Sequence, residues 1–167
     1  MSGDIDGEAS PRDDRAMGLS WIRENPATWD ADKLRIIIGA PKGIFDERYG
    51  HLREGSLVPG EWWRVERDGE VVGYGCLDAV WGNAEVLLAI AAGAQRQGIG
   101  GYIVEHLDEE ARARGLNYLY NVISPKHPDE PGLRGFLEAA GFVGFPSGRL
   151  FKRSTRRQEG AAAPEAT

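Results

Sequence analysis

Apolar and polar positions along the chain alternate between two periods. Leu19-Ser20-Trp21-Ile22 is a first short apolar segment, closed by Asn25-Pro26. Leu34-Arg35-Ile36-Ile37-Ile38 carries a β-branched run and stops at Gly39-Ala40-Pro41, which predicts a strand. Ile44, Phe45, Tyr49 and Leu52 suggest a short helix ending near Gly55. From Glu61 the pattern sharpens. Trp62 to Glu66 and Glu70 to Leu77 are β-rich and flank Arg67-Asp68-Gly69, a strong hairpin signal because glycine accepts positive φ at little cost. A second turn at Trp81-Gly82-Asn83 leads into Glu85 to Ile90, whose nearly unbroken apolar run suits a strand covered on both faces.

The period then changes. Ile103, Leu107 and Ala111 form one helical stripe, with Val104 beside it and Glu110/Arg114 as an i,i+4 pair, and Gly115 ends the helix. Leu116 to Ile123 reads as another strand. Leu133, Phe136, Leu137 and Ala140 make a second helical stripe, stopped by Gly141. Phe142-Val143 and Leu150-Phe151 read as short closing strands around Pro146-Ser147-Gly148. Hairpin, strand, helix, strand, helix, strand is the order of a mixed α/β sheet.

Composition narrows the function classes. The chain has 167 residues, 41% apolar and 28% charged, which suits one globular domain rather than two. A net charge of −6 argues against nucleic acid as the main partner, since phosphate binding wants a basic face. A single cysteine, Cys76, excludes an internal disulfide framework and a cysteine-based zinc cluster, and no metal site is expected. No run approaches a membrane span, and the acidic start lacks the layout of a signal peptide, so a cytoplasmic location without membrane partners is the expectation. Residues 1–15 and 154–167 lack periodic apolar positions and read as disordered tails around a single domain over 16–153.

Candidate chemistry concentrates in Gln95-Arg96-Gln97-Gly98-Ile99-Gly100-Gly101, between the buried strand and the first clear helix. Glycines let successive amide N–H groups converge, and a helix N-terminus adds unpaired N–H groups and the positive end of its dipole. The result is an anion cradle suited to a pyrophosphate. The dinucleotide fingerprint fails, because no third glycine follows Gly98-x-Gly100 at the required spacing. The P-loop fails too, for want of a terminal Gly-Lys-Ser/Thr.

This segment resembles the diagnostic motif of the GNAT (GCN5-related N-acetyltransferase) superfamily, Q/R-x-x-G-x-G/A, after an apolar strand and at the opening of a helix. Phe136-Leu137-Glu138-Ala139-Ala140-Gly141-Phe142 is similar to the family's later helix ending, and with the Asp68-Gly69 hairpin the resemblance spans roughly 62–145. It implies a mixed, mostly antiparallel central sheet flanked by helices, with splayed central strands. It implies acetyl-CoA as cofactor, with pantetheine along Leu88, Ala89, Ile90, Ala91 and Ala92. Gln95, Arg96, Gln97, Gly98, Ile99, Gly100 and Gly101 would then hold the pyrophosphate. An amine, from a small molecule or a peptide, would attack the acyl carbonyl directly. A base takes the ammonium proton, an acid serves the leaving thiolate, and a backbone N–H near Ile90 polarises the carbonyl.

The departures matter for catalysis. Leu137 occupies the position where many members carry a tyrosine proposed as general acid. Candidate replacements are Tyr118, Tyr120, Ser124 and Cys76; Tyr118 and Tyr120 share a strand face and could line the cleft together. Glu85 is the first candidate base, although it stands one residue later than usual and needs a strand bulge to face the cleft. His127 and Glu130 lie where the family places cofactor or substrate contacts, whereas His106 reads as an exposed helical residue. Asp78 and Trp81 follow the hairpin and could face an acceptor. The adjacent pair Trp62-Trp63 points to opposite strand faces, so one of them is expected at the surface, in an acceptor pocket or in a homodimer contact. Two other readings stay open: a catalytically silent acyl-CoA-binding domain of the same fold, and an unrelated α/β nucleotide-binding module.

Overall fold

The computed structural model describes residues 17–154, so the two terminal segments read as disordered tails lie outside the described residues except for Ser154. Ser154 is buried, and its amide donates to the Asn117 carbonyl at 2.8 Å. The chain folds as strand β1 (Leu19–Glu24), helix α1 (Ala31–Lys33) running into a π-helical turn (Leu34–Ile38), and helix α2 (Asp46–Tyr49). Strands β2 (Glu61–Arg67), β3 (Glu70–Val80) and β4 (Asn83–Ile90) follow, then helix α3 (Ile99–Ala113) and strand β5 (Tyr118–Val122). Helix α4 (Glu130–Ala139) and strands β6 (Val143–Gly144) and β7 (Arg149–Arg153) complete it. One sheet runs β1-β2-β3-β4-β5-β7-β6, and of its pairings only β4 with β5 is parallel.

Both hairpins use two-residue turns with two left-handed residues, Asp68 and Gly69 in the first and Trp81 and Gly82 in the second. Such turns match the twist of the flanking strands. Trp81 is thereby pushed into solvent, 96% exposed.

The sheet is covered on both faces, which corrects the expectation for Trp62-Trp63: both are buried. Trp63 faces α3, where Trp21 stacks on it at 5.5 Å and on His106 at 4.8 Å. His106 is therefore buried rather than exposed; it closes an aromatic stack that also includes Tyr102. Trp62 faces the N-terminal helices and meets Tyr49 and Tyr74 edge-on. Leu137, on α4, is fully buried as core.

The strand predicted at Leu34–Ile38 is a helical turn instead. Its β-branched run is overridden by tertiary anchoring of the residue just before it. Asp30 caps α1 by accepting from the Lys33 amide, and the Lys33 ammonium is wholly buried. That ammonium donates to Glu24 Oε1 at 2.6 Å and to the Thr28 carbonyl at 2.8 Å, and approaches Asp30 Oδ2 at 3.3 Å. It also sits 4.7 Å from the Tyr74 ring centre and 5.5 Å from that of Trp62. With Lys33 so held, the helix continues, and the Gly39 amide reaches the Leu34 carbonyl across the wider π turn.

A buried cation paired with a nearly buried carboxylate is costly to break from one side. Lys33→Met leaves Glu24 without its main partner and is expected to cost about 3–5 kcal/mol in denaturant unfolding. Adding Glu24→Gln should recover part of the loss. An unchanged midpoint for the single variant would contradict this anchoring.

Candidate active site

The site begins where two strands stop sharing hydrogen bonds. β4 pairs with β3 along its whole length, from Asn83↔Val80 to Ile90↔Gly73. Its pairing with β5 covers only Asn83↔Tyr118, Ala84↔Leu119 and Glu85↔Tyr120. At the next rung a side chain takes over, as the Asn121 amide donates to the Val86 carbonyl at 3.0 Å. Beyond it the strands part.

The direction of the freed amides follows from strand geometry. The Ala91 amide bonds the Val72 carbonyl of β3. Alternate residues of an antiparallel strand address opposite neighbours. Leu87 and Ala89 therefore also turn their backbone groups to β3, and Val86, Leu88 and Ile90 turn theirs to the fork. Val86 and Ile90 carbonyls are engaged there by Asn121 and, at 3.5 Å, by the Gln95 side chain. The Leu88 amide and carbonyl face the gap.

A cavity of about 970 Å³ occupies this gap, within the range of small-molecule sites. Val86 to Ile90 form one wall; Asn121, Val122, Ile123 and Ser124 form the opposite one. α4 contributes Leu133 and Phe136. The N-terminal segment roofs it with residues 40–45 and Arg48. There the left-handed Gly43 abuts the Lys126 carbonyl so closely that no side chain fits between the two loops.

The glycine loop closes the far end. Arg96 and Gly98 are both left-handed, at φ 63° and 82°, and Gly98 opens α3 without a side-chain cap. The first amides of that helix have no intrahelical partners and carry the positive end of its dipole. Gly100 is needed for another reason: a Cβ there would stand 2.9 Å from Phe136 Cζ, so glycine allows α3 and α4 to meet at the cavity. A strand edge with outward amides leading to an anion cradle fits an extended pantetheine arm ending in a diphosphate.

Of the residues predicted to hold the cofactor, Leu88, Ala89, Ile90, Gln95, Arg96 and Gly98 to Gly101 line the cavity. Ala91, Ala92 and Gln97 do not. Gln97 faces away, accepting from Arg67 at 2.7 Å. Ser124 and His127 are on the wall, and His127 Nδ1 accepts from the Asp129 amide. Glu130 is turned to Arg134 at 2.6 Å.

Glu85 and Tyr120 are register partners, so they share a sheet face, with Asp78 as the β3 partner of Glu85. The β3–β4 register contains no bulge, and the face is the one under the N-terminal helices. Glu85 meets the cavity through Arg48, whose Nη2 lies 3.0 Å from Glu85 Oε2. Tyr118 and Tyr120 pack on Phe151, outside the lining. Burial, then the Glu85 charge, raises the Tyr120 hydroxyl above its ordinary range. Burial pushes Tyr49 up to about 12 and pushes the Cys76 thiol well above its ordinary value. Cys76 thus keeps its proton at neutral pH and is no nucleophile.

Sequence reading missed Asn121, Arg48, Gly43 and Lys126. Asn121 had one signal, a polar residue inside an apolar strand at the rung where pairing ends. Arg48 had none, because its place depends on how the N-terminal helices fold back.

An open mixed sheet parted between its two parallel strands, with a glycine loop opening the helix beside the gap, defines the class. The family model described as the Acetyltransferase (GNAT) family matches residues 20–142, and the chain belongs to that family. Among solved structures it is similar to a GNAT family acetyltransferase from Elizabethkingia anophelis with acetyl-CoA bound, at 15% identity and TM-score 0.59, covering 81% of this chain and 98% of that one. It is similar to the IAA acetyltransferase from Bacillus cereus, at 15% identity and TM-score 0.58, covering 80% and 99%. The ribosomal-protein-S18-alanine N-acetyltransferase from Escherichia coli matches at 14% identity and TM-score 0.55, covering 87% and 99%. At these identities the likeness is one of fold. No curated protein matches the chain in sequence. No helix among the described residues is long and apolar enough to cross a membrane.

Gly98→Asp places a carboxylate at the helix start, where the local field favours a bound anion. It should weaken binding of CoA by about 1–3 kcal/mol, roughly 5- to 150-fold in Kd. Gly98→Asn, with the same backbone demand and no charge, should retain most of the affinity in calorimetric titration. Equal affinities for the two variants would place the diphosphate elsewhere.

Proposed function

We propose that the protein transfers an acetyl group from acetyl-CoA to a primary amine by direct attack. The observation that carries this reading is the continuity of the β4–β5 fork with the helix start at Gly98. Val86, Leu88 and Ile90 would hold the pantetheine arm, and Gln95, Arg96 and the Gly98–Gly101 amides the diphosphate. When bound, acetyl-CoA supplies an acyl group activated as a thioester.

The chain's own residues divide the remaining work. The Leu88 N–H, turned to the fork, is suited to bear the charge that develops on a carbonyl oxygen. Glu85 is the base, taking the ammonium proton directly or through one water; it meets the cavity through its pairing with Arg48. Cys76 stays protonated, which supports direct attack over a cysteine-bound acyl intermediate. Ser124, on the wall facing β4, is better placed than Tyr120 to serve a departing thiolate, since Tyr120 packs on Phe151, whereas Glu85 meets the lining through Arg48. Small-molecule amines and peptide N-termini or lysines are the acceptor classes of this reading.

A second reading, a CoA-binding domain without turnover, is favoured by Leu137. It is fully buried where many family members carry a tyrosine, so that position supplies no acid.

Two measurements separate these. Acetyl-CoA at a hundredfold over its Kd should stabilise the fold by about 2.7 kcal/mol in thermal melting, with ATP and NAD giving no comparable shift. A shift with ATP alone would overturn both. Thiol release with a panel of amines then distinguishes enzyme from silent binder. Glu85→Gln should lower kcat by roughly 10²- to 10⁴-fold while leaving the acetyl-CoA melt shift intact. Undiminished turnover would remove Glu85 from the mechanism.

A further inference from the structure

The cavity's charge does not follow that of the protein. The chain carries a net −6, yet the lining holds Lys42, Arg48, Arg96 and Lys126 and, among the residues whose side chains are described, no aspartate or glutamate. Arg96 belongs to the diphosphate end. Arg48 does not. It pairs with Glu85, and Ile90 lies five residue steps along the strand from Glu85, roughly 17 Å of extended chain before the glycine loop begins. A cofactor phosphate held at Gly98–Gly101 therefore leaves Arg48 to the acceptor end.

That position creates a problem for a simple amine. An acceptor arrives as an ammonium and must reach Glu85, whose carboxylate is engaged by a guanidinium. Taking Glu85 from Arg48 would strand a cation beside the incoming cation. The cost disappears if the acceptor brings its own anion. An ammonium and a carboxylate on one small molecule can replace the Arg48–Glu85 pair with two new pairs, ammonium on Glu85 and carboxylate on Arg48. The local surroundings agree with this exchange. Asp78, on the same face as Glu85, adds attraction for the ammonium. Arg48 is 53% exposed in its side chain, and among the residues whose side chains are described its partners are Glu85 and the Tyr49 hydroxyl, against the five donors that a guanidinium offers.

Resting on the acyltransferase reading above, we propose that the acceptor is a small zwitterion, an amine with a carboxylate close by as in an α-amino acid, and that Arg48 is its specificity-determining residue. Binding of the acceptor carboxylate to Arg48 frees Glu85 for the ammonium proton. A peptide N-terminus or a lysine side chain in a protein lacks that adjacent carboxylate and is disfavoured.

The test uses the full chain with saturating acetyl-CoA and a panel of α-amino acids, each beside its methyl ester and its decarboxylated amine. Thiol release and product mass are read for wild type, Arg48→Gln and Arg48→Lys. Wild type should prefer the free carboxylate by about tenfold or more in kcat/KM, chiefly through KM. Arg48→Gln should lose the preference and Arg48→Lys keep part of it. In parallel, thermal melting with CoA present compares N-acetyl amino acids with their methyl esters, a readout independent of turnover. Acetylation of esters and simple amines as readily as of amino acids would overturn the inference and leave the acyltransferase reading standing. No acetylation of any amine, with a carboxylate-dependent melt shift lost in Arg48→Gln, would uphold the Arg48 site and sink the transfer reading. No carboxylate dependence in either readout overturns the inference, as does a preference that survives unchanged in Arg48→Gln.

Discussion

The structure depends on one interrupted ladder of hydrogen bonds. Two parallel strands in the middle of a sheet would ordinarily pair to their ends, because an unpaired backbone group away from water is costly. Here β4 and β5 share three rungs and separate, with Asn121 taking the first lost rung through its side chain. The separation exposes a strand edge inside the protein rather than at its rim. An internal edge can be covered only by something brought in from outside, and an extended, amide-bearing arm meets that demand. The glycine loop lies directly beyond the edge, so whatever runs along β4 arrives at the start of α3.

Keeping the fork open requires the two halves of the sheet to be held from outside it. On one face, the Trp21–Trp63–His106 stack ties β1 and β2 to α3, and Arg114 lies over Trp63 at 5.3 Å while bonding Glu61 at 2.7 Å. On the other, buried Lys33 binds the end of β1 to the first helix and to the rings of Trp62 and Tyr74. That anchoring brings residues 40–48 over the cavity, which is how Arg48 reaches Glu85 and Gly43 meets Lys126. The charge at the Arg48 end of the cavity thus depends on N-terminal helices anchored by a buried lysine.

How much of this was legible in the sequence follows from the range of the forces involved. The hairpins at Asp68-Gly69 and Trp81-Gly82, the helix stripe from Ile103 to Ala111 and the glycine loop are local signals, and the order of elements along the chain after Glu61 could be read from them. The strand read at Leu34–Ile38 misled because β-branched propensity is weak beside a buried ion pair. His106 and the two adjacent tryptophans misled because burial on a second sheet face depends on which helix lands there. The cofactor loop was visible as a motif, but the split of β4 amides between β3 and the fork needed the register. Arg48 carries no local mark at all; only folding brings it to Glu85.

The central claim, that the parted edge of β4 is the cofactor's seat, is tested most directly by residue-resolved amide hydrogen exchange with and without saturating acetyl-CoA. Leu88 should exchange more slowly on binding, with Ile90 following, whereas Leu87 and Ala89, already bonded to β3, should change little. Protection that appears elsewhere and leaves Leu88 untouched would contradict the account, because it would mean that acetyl-CoA binds without using the fork.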